Sequence, residues 1–184
     1  MLAAVRDLIG KGSANLVRRA LTARNLPIDE ASCTSALADF LRLYSADSAK
    51  LTIMFDGAID ALDQLRDGGF RLGICTNKPL APTQIVLDQF GLTRFFDTVV
   101  GGDQLASRKP DPAMLFHAMA SLDVTSCLFV GDSEIDRETA TAAGQPFALF
   151  TKGYRTSSIE TLNPEYYFDD YSELINIVNL NLRN

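Results

Sequence analysis

The sequence predicts an α/β protein in which a parallel sheet is covered by helices on both faces and two helices precede it. Three observations lead there. From Ile53 onward, short apolar segments alternate with segments of helical periodicity, and strands separated by helices imply a parallel sheet. Before Ile53, apolar residues recur only at helical spacing. Finally, the stretch CLFVGDSEIDRETATAAG at 127–144 runs from an uncharged segment into Asp132 and then into a helix. In open sheets of this kind, ligands gather beyond the carboxyl ends of the strands, which is where Asp132 falls.

The elements follow in order. SANLVRRALTARNL reads as a helix with Leu16, Val17, Ala20 and Leu21 on one side, Ser13 as its cap and Pro27 as its stop. Asp29 opens a second helix to about Tyr44, with Ala36, Leu37, Phe40, Leu41 and Tyr44 in one stripe. Two helices make a hairpin, so residues 1–52 are expected to be a partial helical cap and 53–184 the core. Asp56 is placed as the cap of a helix with Ile59, Leu62 and Leu65 inward, ending at Gly68-Gly69. FRLGIC at 70–75 is a strand, 82–90 a helix closed by Gly91, and FDTVVGG a second strand. Pro112 then starts a helix, a position that tolerates proline. After the CLFVGD strand, Ser133 caps the next helix, Glu134 complements its dipole and Gly144 ends it. PFALFT is a further strand, YYF a short edge strand, and 172–182 the closing helix.

Composition narrows the function. At 184 residues, 47% hydrophobic and 22% charged, the chain is expected to be globular and soluble, and a net charge of −6 offers no basic footprint for nucleic acid or anionic lipid. Cys33, Cys75 and Cys127 are odd in number and far apart, which points to reduced thiols and the cytoplasm. No segment is long and apolar enough for a membrane span or a signal core. His117 is the single histidine and is expected to be partly buried in its helix. The sequence shows no Ser-His-Asp pattern, zinc cluster or dinucleotide glycine fingerprint; GGDQLAS follows a strand but lacks the glycines.

The polar residues at the strand ends suit a phosphoryl group. Thr76, Asn77 and Lys78 follow one strand, Lys109 lies in the loop after the next, and Asp132 and Asp136 follow the third. A hydroxyl, an ammonium and a pair of carboxylates able to take Mg2+ are what phosphoryl oxygens need, because phosphoryl transfer is mostly positioning and charge neutralisation.

CTNKP at 75–79, SRKPDP at 107–112 and FVGDSEIDRETATAAG at 129–144 resemble the second, third and fourth motifs of the haloacid dehalogenase (HAD) superfamily, most closely its phosphoglycolate phosphatase branch. IGKGSANLVRRAL resembles that branch's cap stretch. The resemblance implies a Rossmann-like, HAD-like core and Mg2+-dependent hydrolysis of a small phosphorylated metabolite, with 2-phosphoglycolate preferred. It implies that Thr76 bonds the phosphoryl group and that Lys109 steadies its charge. Asp132 would be a direct Mg2+ ligand, and Asp136 would hold Lys109 or metal-bound water. Asn77 is a candidate for touching phosphate, and Lys11 for the substrate's far end.

The family's first motif, D-x-D-x-T at the end of the central strand, does not occur in these 184 residues. Phe55-Asp56-Gly57 lacks a second aspartate, and Asp169-Asp170 comes too late in the order. The expectation is an absent first central strand between those leading to Thr76 and to Asp132. The aspartyl-phosphate nucleophile would then lie outside this chain. The alternative expectation is a truncated, non-catalytic phosphate-binding or interaction protein of the same fold.

Overall fold

Among the described residues the short apolar segments become five strands, each followed by a helix. The computed structural model describes residues 12–47 and 52–181; Lys11 lies outside them. Helices α1 (Ser13–Ala23) and α2 (Glu30–Asp47) form the expected hairpin. Asp29 caps α2, its carboxylate accepting from the Ser32 backbone N–H and hydroxyl at 2.9 and 2.8 Å. Ser13 does not cap α1. It is the first helical residue, and Gly12 at φ +83° occupies the cap position with no side chain to offer. Asp56 likewise does not cap α3 (Ala58–Asp67), because Gly57 in the left-handed region makes that turn instead. On α3 the fully buried residue is Ala61, with Ile59 38% exposed rather than inward.

Strand β1 (Gly73–Cys75) is shorter than predicted because the segment before it pairs through Asp97, whose carboxylate accepts from Leu72 N–H at 3.0 Å. β1 runs parallel to β2 (Thr98–Val100). Between them lie α4 (Leu80–Gln89) and a turn of 3-10 helix at Thr93–Phe95, the latter unforeseen. After α5 (Ala113–Ser121), β3 (Phe129–Gly131) pairs in parallel with β4 (Phe147–Phe150), and β4 with β5 (Tyr166–Phe168). Helix α6 (Glu134–Ala143) joins β3 to β4, a short α7 (Ile159–Leu162) precedes β5, and α8 (Tyr171–Asn181) closes the described residues.

β4 is the anchor of the core. Phe147, Ala148 and Leu149 are fully buried, as expected for a continuous apolar run in a parallel strand covered on both faces. Phe147 and Leu149 pack with Leu115, Met119, Phe129 and Ala140, whereas Ala148 and Phe150 pack with Phe168, Leu174 and Val178. Each fully buried Phe or Leu contributes about 1.5–3 kcal/mol.

Among the described residues no strand joins β1 to β3, so the sheet is in two pieces, β1-β2 and β3-β4-β5. The break falls where the sequence leads one to expect the absent central strand. Val130, in the middle of β3, is 41% exposed while its neighbour Phe129 is buried.

Candidate phosphate and metal site

Three loops at the strand ends meet through side chains that hold one another. After β1, Thr76 receives the Lys78 backbone N–H on its hydroxyl oxygen at 3.1 Å, and among the described residues that hydroxyl donates to no acceptor. Asn77 lies beneath Lys109 and clamps its backbone: the amide nitrogen donates to the Lys109 carbonyl and the amide oxygen accepts from the Lys109 N–H, both at 3.0 Å. That pairing joins the loop after β1 to the loop after β2. Gly102 allows the close approach, since a Cβ there would strike the Asn77 carbonyl. The Lys109–Pro110 peptide is cis.

The Lys109 ammonium then reaches Asp136 Oδ1 at 2.7 Å, with the two side chains 11% and 8% exposed. Asp136 Oδ2 accepts from the Ser133 hydroxyl at 2.6 Å and from the Asp132 backbone N–H at 3.1 Å. Both Asp136 oxygens are therefore engaged. Of the two roles that the sequence left open for Asp136, holding Lys109 is the one that the geometry displays. Asp132 Oδ2 accepts from the Tyr154 N–H at 3.1 Å, and no hydrogen bond reaches Oδ1 among the described residues. Gly153 makes room for this carboxylate, because any Cβ there would run into it.

The electrostatics separate the two aspartates. Burial works to raise the Asp136 carboxyl, but the Lys109 ammonium, its hydrogen bond and the Ser133 hydroxyl outweigh burial and hold it below its usual value. Asp132 is raised, first by burial and then by the neighbouring Asp136 charge, against the partial relief of the Tyr154 N–H and Lys109. Among the described residues there is no group of three His, Cys, Asp or Glu able to hold a metal. Mg2+ commonly takes one or two protein carboxylates and completes its shell with phosphate and water, so Asp132 fits such an ion as one ligand.

Two features escaped the sequence. Glu134 is more than a dipole partner: its Oε1 accepts from Thr156 N–H and hydroxyl and from Ser157 N–H at 2.7–3.0 Å. Although burial opposes it, these donors lower the carboxyl to about 2 and pin the loop after β4 beside Asp132. Gly153-Tyr154 in that loop completes the Asp132 environment, and the only sequence signal was a glycine just past a strand. His117 is exposed, not partly buried, because α5 turns Met114, Leu115, Ala118 and Met119 inward. The thiols of Cys75 and Cys127 are pushed up to about 11 by burial.

The chain as a whole has counterparts. Residues 4–150 match the sequence profile of haloacid dehalogenase-like hydrolases. A phosphoglycolate phosphatase of Cereibacter sphaeroides is 43% identical over 173 residues, covering 94% of this chain and 79% of the relative. The chain belongs to the haloacid dehalogenase-like hydrolases. By family it is a phosphatase similar to the phosphoglycolate phosphatases, as its motifs led one to expect. Two solved structures support the fold. One is a predicted phosphoglycolate phosphatase from Haemophilus somnus, with a TM-score of 0.84, 27% identity and coverage of 95% of this chain and 81% of that one. The other is CbbY from Rhodobacter sphaeroides in complex with phosphate, with a TM-score of 0.71, 25% identity and coverage of 92% and 78%. Among the described residues no helix is long and apolar enough to cross a membrane.

Proposed function

We propose that this chain supplies the phosphoryl-binding and charge-neutralising part of a Mg2+-dependent phosphomonoesterase acting on 2-phosphoglycolate. The observation that carries the reading is the Lys109–Asp136 pair, a buried ammonium fixed in a loop that is bonded to the loop of Thr76 and Asn77 on one side and, through Asp136, to Asp132 on the other. Support for the substrate comes from the phosphoglycolate phosphatase of C. sphaeroides. Support for the anion comes from the bound phosphate of the R. sphaeroides structure.

The residues divide the work. Thr76 donates its hydroxyl proton to a phosphoryl oxygen, and Lys109 places a point charge on another. Asp136 holds the Lys109 ammonium in place, while Asn77 fixes the backbone that carries it. Asn77 is therefore read as a positioning residue. Asp132 would hold Mg2+, which when bound neutralises charge on the phosphoryl oxygens. Among the described residues no base is hydrogen-bonded to Thr76 that would make it a nucleophile, and the single histidine lies exposed on α5. The attacking carboxylate is assigned to a D-x-D-x-T strand between β1 and β3, a motif that these 184 residues do not contain.

The test is hydrolysis of 2-phosphoglycolate by the chain as given and by the chain extended at its N-terminus with an apolar strand ending in D-x-D-x-T. The first is expected to be inactive and the second active. In the extended chain Lys109→Ala is expected to lower kcat/KM roughly a hundredfold, the effect of losing about 3 kcal/mol of transition-state charge stabilisation. An extended chain that folds, binds Mg2+ and hydrolyses no phosphomonoester would establish the non-catalytic phosphate-binding reading instead.

A further inference from the structure

The carboxylate of Asp132 is held by a loop that is itself held by the next residues along. Between β4 and α7 the backbone N–H groups of Tyr154, Arg155, Thr156 and Ser157 all turn toward Asp132 or the start of α6. The Tyr154 N–H donates to Asp132 Oδ2 at 3.1 Å, and the Arg155 N–H to the Asp132 carbonyl at 3.0 Å. The Thr156 and Ser157 N–H groups donate to Glu134 Oε1 at 2.8 and 2.7 Å, and the Thr156 hydroxyl joins them at 3.0 Å. One carboxylate oxygen thus carries the far half of the loop. At its two ends the loop is anchored separately, by the Thr151 N–H on the Phe168 carbonyl at 2.9 Å and by Ser158, which caps α7.

This attachment confines Asp132. Gly153 passes so close that a Cβ there would run into the Asp132 carboxylate, so a loop that stays in place leaves the carboxylate little room to swing. A loop released from Glu134 lets Gly153 and Tyr154 draw back and the carboxylate turn. Glu134 also brings negative charge to the first turn of α6, where it suits the dipole. That role needs only the charge. The contacts to Thr156 and Ser157 cross 22 and 23 positions of chain and depend on the reach of the side chain.

Confinement matters differently to different cations. Mg2+ requires near-ideal octahedral geometry at about 2.0–2.1 Å, whereas Ca2+ accepts a flexible shell of about 6–8 oxygens and takes carboxylates through one oxygen or both. A carboxylate free to turn therefore costs Mg2+ much and Ca2+ little. We infer that Glu134 is a positioning residue that, through the loop at 153–157, fixes the direction of the Asp132 carboxylate and so favours Mg2+ over Ca2+. The inference rests on the proposed assignment of Mg2+ to Asp132 and deepens it: Asp132 supplies the oxygen, and Glu134 sets the preference among cations.

The test titrates the full chain with Mg2+ alone and with Ca2+ alone by calorimetry, and follows amide exchange at Thr156 and Ser157. Two variants separate reach from charge. Glu134→Asp keeps the negative charge at the start of α6 but falls one methylene short of the loop. It should weaken Mg2+ binding roughly tenfold, leave Ca2+ binding nearly unchanged and speed exchange at Thr156 and Ser157. Glu134→Gln keeps the reach and an acceptor oxygen but not the charge, and should retain more of the Mg2+ preference than Glu134→Asp. Equal weakening of the two cations in Glu134→Asp would overturn the inference, as would a Glu134→Gln chain that loses the preference as fully as Glu134→Asp. Asp132→Asn tests the reading beneath. If it leaves Mg2+ affinity untouched, the assignment of Mg2+ to Asp132 fails and the inference falls with it. Loss of Mg2+ binding in Asp132→Asn, beside an unchanged ratio of Mg2+ to Ca2+ affinity in Glu134→Asp, sinks the role of Glu134 alone.

Discussion

Removing Asp136 leaves the Lys109 ammonium, 11% exposed, without its counter-ion, and also strands the Ser133 hydroxyl and the Asp132 backbone N–H. Breaking a buried pair from one side costs about 3–5 kcal/mol, most of it the penalty for an uncompensated buried charge. Against the roughly 5–15 kcal/mol that holds a domain folded, that loss is severe. Asp136→Ala is therefore expected to lower stability in urea by about that amount. Lys109→Met with Asp136→Leu, which replaces both charges by apolar groups of similar volume, should recover most of the loss, because desolvation of the pair nearly offsets its attraction. The sign of the pH dependence is fixed by the same contact. The folded Asp136 carboxyl titrates below its ordinary value of 3.8, so its contribution is complete above that value and fades as the pH falls through the folded one. Stability of the wild type should decline toward acid faster than that of the double variant. Urea titrations of the three proteins between pH 3 and 7 decide it. A double variant as unstable as Asp136→Ala would refute the reasoning, since the cost would then not come from an orphaned charge.

Further outcomes follow from the neighbouring groups. Asp132 is raised by burial and by Asp136, so its ionisation costs stability as the pH rises past its ordinary value; Asp132→Asn should raise the Tm at pH 7 without Mg2+, and an unchanged or lower Tm contradicts this. Glu134→Ala removes the acceptor of three donors in the loop after β4 and should cost about 1–3 kcal/mol, with faster amide exchange at Thr156 and Ser157. The Glu134 contribution should be present above its ordinary value of 4.5 and fade as the pH falls toward about 2. Gly153→Ala should displace the Asp132 carboxylate and weaken Mg2+ binding while Lys109 stays in place, which calorimetry and the Asp136→Ala stability comparison read separately. The edges of β1 and β3 that are unpaired among the described residues, with Val130 41% exposed, should make the chain associate at high concentration; a monodisperse monomer in ultracentrifugation with a sharp unfolding transition would argue against this.

Much of the fold was legible because local chemistry and tertiary packing agree. Ser133 and Gly144 cap α6 as read, since an uncharged strand led directly into a side chain able to accept the Asp136 N–H and a glycine followed at the left-handed position. The caps at Ser13 and Asp56 were misplaced because Gly12 and Gly57 make those turns with the backbone alone, and a positive φ leaves no trace in hydrophobic periodicity. That Lys109, Asp132 and Asp136 come together was readable from their places after successive strands. The clamp by Asn77 was not, since it ties two backbone groups 32 positions along the chain. Glu134 was assigned to its own helix because its three donors lie 22 and 23 positions away. Spacing shows what a residue can offer, whereas long-range partners decide what it offers it to.

The claim on which the rest depends is that Thr76, Lys109 and Asp132 converge on one phosphoryl group with Mg2+ beside it. The most direct measurement is the affinity of the full chain for inorganic phosphate, followed across a Mg2+ titration in the wild type, Lys109→Ala and Asp132→Asn. Phosphate should bind more tightly as Mg2+ rises in the wild type. In Lys109→Ala binding should weaken at every Mg2+ concentration, and in Asp132→Asn it should no longer respond to Mg2+. Phosphate affinity that is independent of Mg2+ in the wild type and equal in all three proteins would contradict the account.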